Sequence, residues 1–503
     1  MPPKYPCLTV PAVLCALFCL HSAPITFAQQ SQPEERVMTG DQLVQIALTN
    51  NLDILISRIQ PEVDQFALNG LYGAYQPTLT MNASRYYAEQ PGGFFTEGGL
   101  DIPVPATTTK IDSYTPGLSG MLPSGLTYSL TGPLALQDVG GLRQYETEPS
   151  ISLDQPLLKN MWMNSAGYQI TVAKNTLRTD QWSYRLQVMT VVFNVKTAYY
   201  RLIYARENVQ VEEEALALKQ ETVSEDKQKV QFGAMRQLDE RQAESEAASA
   251  QSDVQTALIT LAQQENVMKG LLAQRLGDLD NFTIMPAEQL VAVPEHPQQQ
   301  ECWRVGLEER PEMVQAKLKI EKQHVTIKYD FNQLFPQIDV VGSYGRSATD
   351  PTLDTALGDI RQATSPNYSY GIVLTVPLGN SGARGTYRAD RAALQSLLFQ
   401  AKKEEWTIVT AIDNDVKAIE ANLLKVDYTR QARIFAEQAL EAGQVELQDG
   451  KRINFEVLQF QDNLTAARSA EISALSDYNT ALEQLALDEG ITLERNHIDL
   501  RFR

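Results

Sequence analysis

Two long stretches of the chain place apolar residues at the spacing of a coiled-coil helix. In the second stretch, Leu475, Tyr478, Leu482 and Leu485 are three, four and three residues apart. The first contains a longer series with the same steps: Tyr184, Val188, Val191, Val195, Ala198, Leu202, Ala205 and Val209. This spacing keeps one side of a helix against a neighbouring helix. The pattern therefore predicts long helices that pack side by side.

Proline is absent from the same two stretches. None occurs between Leu157 and Met285, or between Leu378 and Arg503. Because proline breaks helix interiors, the predicted helices extend over most of each stretch. A turn containing Gly233 divides the first stretch and one containing Gly450 divides the second, so each is expected to fold into two antiparallel helices. A helix from near residue 161 to the first turn would be roughly 100 Å long at the usual rise per residue, which predicts a rod.

Short segments of alternating polar and apolar residues precede the helical stretches. They predict strands near residues 77–89, 148–156, 336–345 and 368–378. A half-buried sheet in a soluble domain would show the same alternation. Between long rods there is no globular core to cover the apolar face, so we favour an outer-membrane barrel. Four strands are fewer than the roughly eight that close a barrel, and open edges are not tolerated in lipid, so several chains are expected to share one barrel.

The order of these elements occurs twice. Pro77 and Pro336 each precede a strand, and the same separation places Asn51-Leu52-Asp53 on Arg310-Pro311-Glu312. We conclude that the chain contains two copies of one unit, which consists of a helix, two strands and a hairpin of long helices. The predicted boundaries are a first copy at 29–276, a linker at 277–303, a second copy at 304–490 and a tail at 491–503.

The first 28 residues have the pattern of a cleaved secretory signal. Lys4 precedes an apolar run from Leu8 to Leu20, and Thr26-Phe27-Ala28 resembles a cleavage site. No later stretch reaches the roughly 18 apolar residues of a membrane-spanning helix. Cys302 is the one cysteine after the signal, which leaves no intrachain disulfide.

The net charge and the absence of certain sequence motifs argue against several classes of function. The chain has 43 Lys and Arg against 62 Asp and Glu, a net charge of −19, which argues against a nucleic-acid partner. The zinc-protease and nucleophile-elbow motifs and the phosphate-binding loop are absent from the sequence. We therefore expect neither an enzyme nor a bound cofactor or metal, and any transport must be driven by a partner.

The duplicated proline-strand passages, the Gln155-Pro156-Leu157 and Val376-Pro377-Leu378 entries to the long helices and the two glycine turns resemble the TolC-type outer-membrane efflux proteins. The resemblance covers residues 39 to about 489. It implies a mostly α fold with β, in which a homotrimer forms a twelve-stranded outer-membrane barrel continued by a periplasmic α-helical barrel. It also implies an exit channel that works with a periplasmic adaptor and an inner-membrane transporter of the RND or ABC type.

The resemblance also assigns roles to the two turns. In the first, Gly233, Ala234, Leu238 and Asp239 match the family's adaptor-contacting tip. In the second, Gly450 and Lys451 belong to the tip, while Arg452, Glu456 and Gln459 fall on the positions of a periplasmic gate built from an arginine and acidic rings. Gln459 departs from the acidic pattern. An i,i+4 pair between Arg452 and Glu456 without a gating role is the alternative.

Three questions stay open in the sequence. Residues 113–132 could form an extra spanning hairpin, but an extracellular loop with its own hairpin is favoured. A periplasmic coiled-coil structural or adhesive protein would explain the heptads but not the strands. Neither the transported substrate nor the class of pump can be read from the residues.

Overall fold

The computed structural model describes residues 34–274, 282–362 and 365–500, so the predicted signal at residues 1–28 lies outside the described part. The first copy contains, in chain order, β1 (Glu34–Met38), α1 (Gly40–Asn50), α2 (Leu52–Leu71), β2 (Thr78–Gln90), β3 (Gly93–Glu97), β4 (Leu100–Val104), β5 (Thr107–Met121), β6 (Thr127–Thr131), β7 (Leu134–Val139), β8 (Leu142–Thr147), β9 (Ser150–Pro156), α3 (Ser165–Gln231) and α4 (Gln237–Leu272). The second contains β10 (Phe282–Pro286), α5 (Gln299–Glu309), α6 (Pro311–Gln333), β11 (Gln337–Arg346), β12 (Ala348–Asp350), α7 (Leu353–Gln362), β13 (Pro366–Thr375), α8 (Ser381–Gln448), α9 (Asn454–Asp488) and α10 (Thr492–Arg495).

The two longest helices give the molecule its length. They are α3, with 67 residues, and α8, with 68. Each is about 100 Å long at 1.5 Å per residue. Each turns back at its far end, into α4 and α9 respectively. None of the helices in the described residues is both long enough and apolar enough to cross a membrane.

The two copies share the corner between their first two helices. Asn51 ends α1 and begins α2 with φ −61° and ψ 126°, and Arg310 ends α5 and begins α6 with φ −65° and ψ 125°. The side chain of Asn51 accepts hydrogen bonds from the backbone of Asp53 and Ile54. In α6, Pro311 occupies the first position, where no N–H needs a cap. Different residues therefore produce the same backbone turn in both copies.

The apolar seam of α3 is buried near the middle of the rod. Val188, Val195 and Leu202 are fully buried and pack with residues of α1 and α4. An equivalent cluster joins α5, α8 and α9 around Ile412 and Tyr478. Burying an aliphatic side chain stabilises a fold by roughly 1.5–3 kcal/mol. These two clusters therefore hold the short helices against the long ones.

The linker is more ordered than its composition predicts. Within the predicted linker at 277–303, β10 pairs in parallel with β1, and α5 begins at Gln299. The pairing depends on a strand that is distant in sequence, so local composition gives no sign of it. One strand and the start of one helix therefore lie within the predicted linker.

The main sheet contains more strands than the four that were predicted. Those four correspond to β2, β9, β11 and β13. Residues from the intervening segment add β5, β6, β7 and β8. The hydrogen-bonded order across the sheet is β13, β11, β9, β6, β5, β2. At the end of the sheet far from the long helices, β12, β8 and β7 extend the lines of β11, β9 and β6. The hairpin predicted within residues 113–132 is formed by β5 and β6, which pair within the main sheet between β2 and β9. In the described residues, the β3–β4 hairpin and the β1–β10 pair form two separate two-stranded sheets.

Two neighbouring acids, the half-buried Asp415 and the buried Asp488, lie where α8 meets the ends of α6 and α9. Asp415 on α8 has a buried Oδ2 without a hydrogen-bond partner. Asp488 beside it is paired with Arg310 at 3.0 Å. Burial, and then the Asp488 carboxylate, raise the pKa of Asp415 to about 8, while the charge of Arg310 opposes the shift. A proton shared by the two carboxylates would satisfy the buried oxygen.

This pair predicts a pH-dependent stability. The folded chain retains the Asp415 proton up to about pH 8, whereas the unfolded chain loses it near pH 4. The contribution of Asp415 to stability therefore decreases as the pH rises between these values. In thermal unfolding followed by circular dichroism, Asp415→Asn should lose less stability than the unmodified protein between pH 6 and pH 8. Asp427→Asn, an exposed position on α8, is the control, and equal losses in all three proteins would contradict the shared proton.

Candidate functional site at the helical tips

The far ends of the two helix hairpins have the same turn. Gly233 and Gly450 adopt positive φ values of 75° and 71°. In each turn the glycine N–H bonds to the carbonyl three residues earlier, and the following N–H bonds to the carbonyl five residues earlier. This is the arrangement that ends a helix with a left-handed glycine. A Cβ at either glycine would meet nothing within 4 Å, so the backbone conformation alone requires glycine there.

Both tips expose apolar side chains. At the first, Phe232 is 86% exposed and Leu238 is 67% exposed. At the second, Ile453 and Phe455 are 59% and 49% exposed. Large apolar groups at the end of a charged rod are characteristic of a contact surface. The predicted tip residues thus lie together with apolar residues that the sequence prediction did not include.

Asp239 has a structural role at the first tip. Arg236 donates from Nε and a terminal nitrogen to the two oxygens of Asp239, at 3.1 and 2.8 Å. This paired geometry fixes the first turn of α4. The Asp239 carboxylate is only 18% exposed, so Leu238 is the more available contact of the Leu-Asp pair.

Arg452 bridges the second turn. Its Nε donates to Glu446 at 2.5 Å, and a terminal nitrogen reaches Glu456 at 3.4 Å. Its guanidinium also lies 5.1 Å from the centre of the Phe460 ring. Hydrogen bonding to Glu446 is the main cause that raises the pKa of Arg452. Glu446 on α8 is therefore the closer partner, and Gln459 is exposed one turn beyond Glu456.

Polar side chains join the two hairpins near the tips. The α3–α9 contacts are Asp226 with Asn454 at 2.5 Å, Thr222 with Gln461 at 3.2 Å, Lys219 with Asp462 at 2.5 Å, Glu214 with Arg468 at 3.0 Å and Asn208 with Ser469 at 2.7 Å. We call this set the polar seam. Sequence reasoning missed it.

A heptad signal in α9 could have revealed the polar seam. Asn454, Gln461 and Arg468 are seven residues apart, and Leu475 and Leu482 continue the same series toward the middle of the rod. One helix position therefore changes from apolar to polar as it approaches the tip. Polar residues at such positions fix the register of a coiled coil at a cost in stability. The hairpins are therefore held together less strongly at the tips than at the apolar clusters.

Asp226 is the most buried carboxylate of the polar seam, with 1% of its surface exposed. Burial raises its pKa, and the hydrogen bond from Asn454 opposes the shift. Lys219 is also buried and contacts Glu246 on α4 as well as Asp462 on α9. One cation thus links three helices. Removing a partner from such a site leaves a buried charge without compensation.

Metal binding and thiol chemistry have little support in the described residues. They contain no group of three or more His, Cys, Asp or Glu that could hold a metal ion. The Cys302 thiol is buried, and burial raises its pKa to about 12, with Glu489 adding to the shift. A thiol with such a pKa is a poor nucleophile at neutral pH.

Part of the chain matches a known family. Residues 305–487, most of the second copy, match the family described as outer membrane efflux protein. No curated protein matches the chain.

Several solved outer membrane proteins have the same fold. The Campylobacter jejuni CmeC outer membrane channel is 15% identical, with a TM-score of 0.65 and 99% of each chain covered. VceC, an outer membrane protein of Vibrio cholerae, is 16% identical, with a TM-score of 0.65 over 90% of this chain and 96% of that one. The open state of the Neisseria gonorrhoeae MtrE outer membrane channel is 17% identical, with a TM-score of 0.64 over 90% of this chain and 89% of that one. The resemblance drawn from the sequence is confirmed.

The tip geometry predicts the effect of replacing its glycine. Gly233→Val should strain the left-handed turn by about 1 kcal/mol or more, and amide hydrogen exchange at residues 229–234 should become faster. Gly270→Ala is the control, since Gly270 lies in helical α4 and a Cβ there meets nothing within 4 Å. Equal exchange at the tip in both variants would mean that the turn does not need its glycine.

Proposed function

We propose that this chain, whose residues 305–487 match the outer membrane efflux protein family, is the exit channel of a tripartite efflux pump or a type I secretion system. Three copies form a passive conduit through the outer membrane, and the long helices extend into the periplasm. The conduit passes small molecules or exported polypeptides. A periplasmic adaptor and an inner-membrane transporter of the RND or ABC type supply the connection to an energy source.

One observation supports this function most directly. A sheet with an apolar face and a polar face leads without an intervening domain into helices of about 100 Å. Alternating faces suit a wall between lipid and water. Helices of that length suit a duct that continues far beyond the membrane. A periplasmic coiled-coil structural or adhesive protein, the alternative, would have no use for the sheet.

The sheet edges favour a trimer. In the described residues β2 pairs only with β5, and β13 pairs only with β11. These two edges run in opposite directions, so β13 of one copy can pair with β2 of the next in an antiparallel manner. Unpaired edges in lipid leave backbone groups without hydrogen bonds. Assembly in a closed ring removes every such edge.

The tips supply the two remaining parts of the function. The adaptor docks on Gly233, Ala234, Leu238, Asp239, Gly450 and Lys451, where exposed Phe232 and Ile453 add apolar area. The periplasmic gate consists of Arg452, Glu456 and Gln459. The polar seam supports such a gate, because its hydrogen bonds can be exchanged for water or adaptor contacts more easily than an apolar core can be opened.

Reconstitution tests the channel. The mature chain, purified in mild detergent, should be a trimer that conducts ions across a planar bilayer. A monodisperse monomer in the absence of detergent, or trimers without conductance in any variant, would contradict the proposed function. Adaptor docking is tested separately with Gly233→Val, which should reduce cross-linking to the adaptor while trimers remain in the membrane.

The gate predicts an increased conductance when the polar seam is broken. Asn454→Asp would place a second carboxylate 2.5 Å from Asp226, and the repulsion should separate α3 from α9 at the tip. Single-channel conductance should rise at pH 7.5 and fall back at acidic pH, because protonation of one carboxylate of the pair removes the repulsion. Arg452→Ser should also raise it, by freeing Glu446.

Asn463→Asp is the control for charge, since Asn463 is exposed on the same helix. Its conductance should equal that of the unmodified channel at both pH values. If Asn454→Asp also leaves conductance unchanged, the polar seam does not hold the tunnel closed.

A further inference from the structure

We propose that each chain contributes six strands to the membrane wall, so that three copies close an eighteen-stranded barrel rather than the family's twelve-stranded one. The inference rests on the proposed function. In this arrangement, one face of the β5–β6 hairpin contacts the acyl chains of the outer membrane, and the other face lines the passage.

The strands of the main sheet combine into six long ones. Along β5, the pairing partners continue from β6 to β7 without a change of register across Gly132-Pro133. Along β6 and β7, the partners continue from β9 to β8 in the same way, and β11 and β12 continue the register of β9 and β8. Backbone bonds such as Gly132 N to Pro116 O at 3.0 Å bridge the interruptions.

Each of the six is long enough to span a membrane. The shortest, β13, has 10 residues, and β5 has 15. A membrane-spanning strand needs about 9–11 residues. Both strands of the extra hairpin meet this length, since β6 and β7 together run from residue 127 to residue 139. Length therefore gives no reason to exclude the hairpin from the wall.

One row across all six strands is apolar. Consecutive pairing partners are Leu79, Leu118, Leu130, Ile151, Tyr344 and Tyr368. Leu79 and Tyr368, at the two edges, are 77% and 72% exposed, and Leu130 from the extra hairpin is 49% exposed. The hairpin thus continues an exposed apolar face that begins and ends on strands of the four-strand prediction. Acyl chains are the occupant that an apolar strip crossing a complete wall requires.

The neighbouring row, on the opposite face, is entirely hydroxyl. Its consecutive partners are Thr78, Ser119, Ser129, Ser152, Ser343 and Ser369. These residues line a cavity of about 670 Å³ on that side of the sheet. Ser119 and Ser129, from β5 and β6, are the second and third of its six members. One face therefore stays apolar and the other stays polar through the hairpin, which indicates that the hairpin is part of the barrel wall.

The turn of the hairpin lies at the end of the sheet that is next to the helices. Asn164, which caps α3, donates to the carbonyl of Pro123 at 3.1 Å, and Gln155 donates to the carbonyl of Ser124 at 3.2 Å. Short turns belong on the periplasmic side of outer-membrane barrels. A hairpin within an extracellular loop would have its turn at the opposite end of the sheet.

Six strands per chain change the size of the passage. Barrel diameter grows about linearly with strand number, so eighteen strands give a lumen roughly 1.5 times as wide as twelve. The hydroxyl row lines this lumen with hydrogen-bonding groups, and Asp154, which lines the same cavity, adds one carboxyl group from each copy. The membrane section of the conduit would then be wide enough to pass bulky solutes.

Single-cysteine labelling tests the assignment. In a Cys302→Ala background, Ser119→Cys and Ser129→Cys should react with a charged, membrane-impermeant maleimide in intact outer membranes. Leu118→Cys and Leu130→Cys should react several-fold more slowly with it, and readily with a lipid-soluble maleimide. Thr78→Cys with Leu79→Cys, and Ser152→Cys with Ile151→Cys, are the matched pairs on strands that the four-strand wall also contains.

The outcomes separate the two proposals. Alternation at both the control and the hairpin positions supports six strands per chain. Alternation at the controls, with rapid labelling of Leu118→Cys and Leu130→Cys, removes the hairpin from the wall but leaves the channel standing. Loss of alternation at the controls overturns the channel as well. A cross-section of the unmodified trimer by electron cryomicroscopy gives an independent count, and twelve strands would overturn the inference even if a cysteine variant failed to assemble.

Discussion

Backbone hydrogen bonding across the sheet is the constraint on which the rest of the molecule depends. Each strand in a membrane wall must have a neighbour on both sides, because lipid offers no partner for a free N–H or C=O. In the described residues, the inner strands of the main sheet have partners on both sides, whereas β2, β13 and the short β12 pair on one side only. The strands also fix where α3 and α8 begin, so the position of the rod follows from the sheet. The open edges of the sheet and the direction of the long helices are therefore set by the same hydrogen-bonded strands.

The long helices make different kinds of contact near the middle of the rod and near its tip. Near its middle, residues such as Val195 and Tyr478 are fully buried in apolar clusters. Near its tip, α3 and α9 meet through Asp226, Lys219 and their polar partners. Burial of apolar side chains stabilises the packing of the helices, whereas the hydrogen bonds of the polar seam can be replaced by hydrogen bonds to water. The rod thus has apolar clusters near its middle and a polar contact between α3 and α9 near its tip.

The acidic residues with raised pKa values also differ between the middle of the rod and its tip. Asp415 lies beside Asp488 close to the apolar cluster of the second copy, where burial favours a shared proton. Asp226 lies in the polar seam, where an amide rather than a second acid supports it. Two carboxylates stabilise each other only while one is protonated. An amide partner leaves the contact at the tip less dependent on pH.

The sequence by itself determined the elements that depend on local or periodic patterns. The heptads of α3, the proline-free stretches and the left-handed glycines at positions 233 and 450 act through neighbouring residues, so they can be recognised in one dimension. The duplication is equally readable, because it compares the chain with itself. These features were sufficient to indicate the resemblance to TolC-type proteins and to place both tips.

Tertiary structure alone decided which strands pair and what meets at the tips. Leu118 and Ser119 look like part of any turn-rich loop until β5 is placed beside β2, since strand pairing joins residues far apart in sequence. The same holds for β10 in the linker and for the partners of Arg452, of which Glu446 precedes the turn. The contact between Asp226 and Asn454 spans 228 positions of the chain. Local patterns specify which face of an element is polar, but only the packed chain specifies what that face touches.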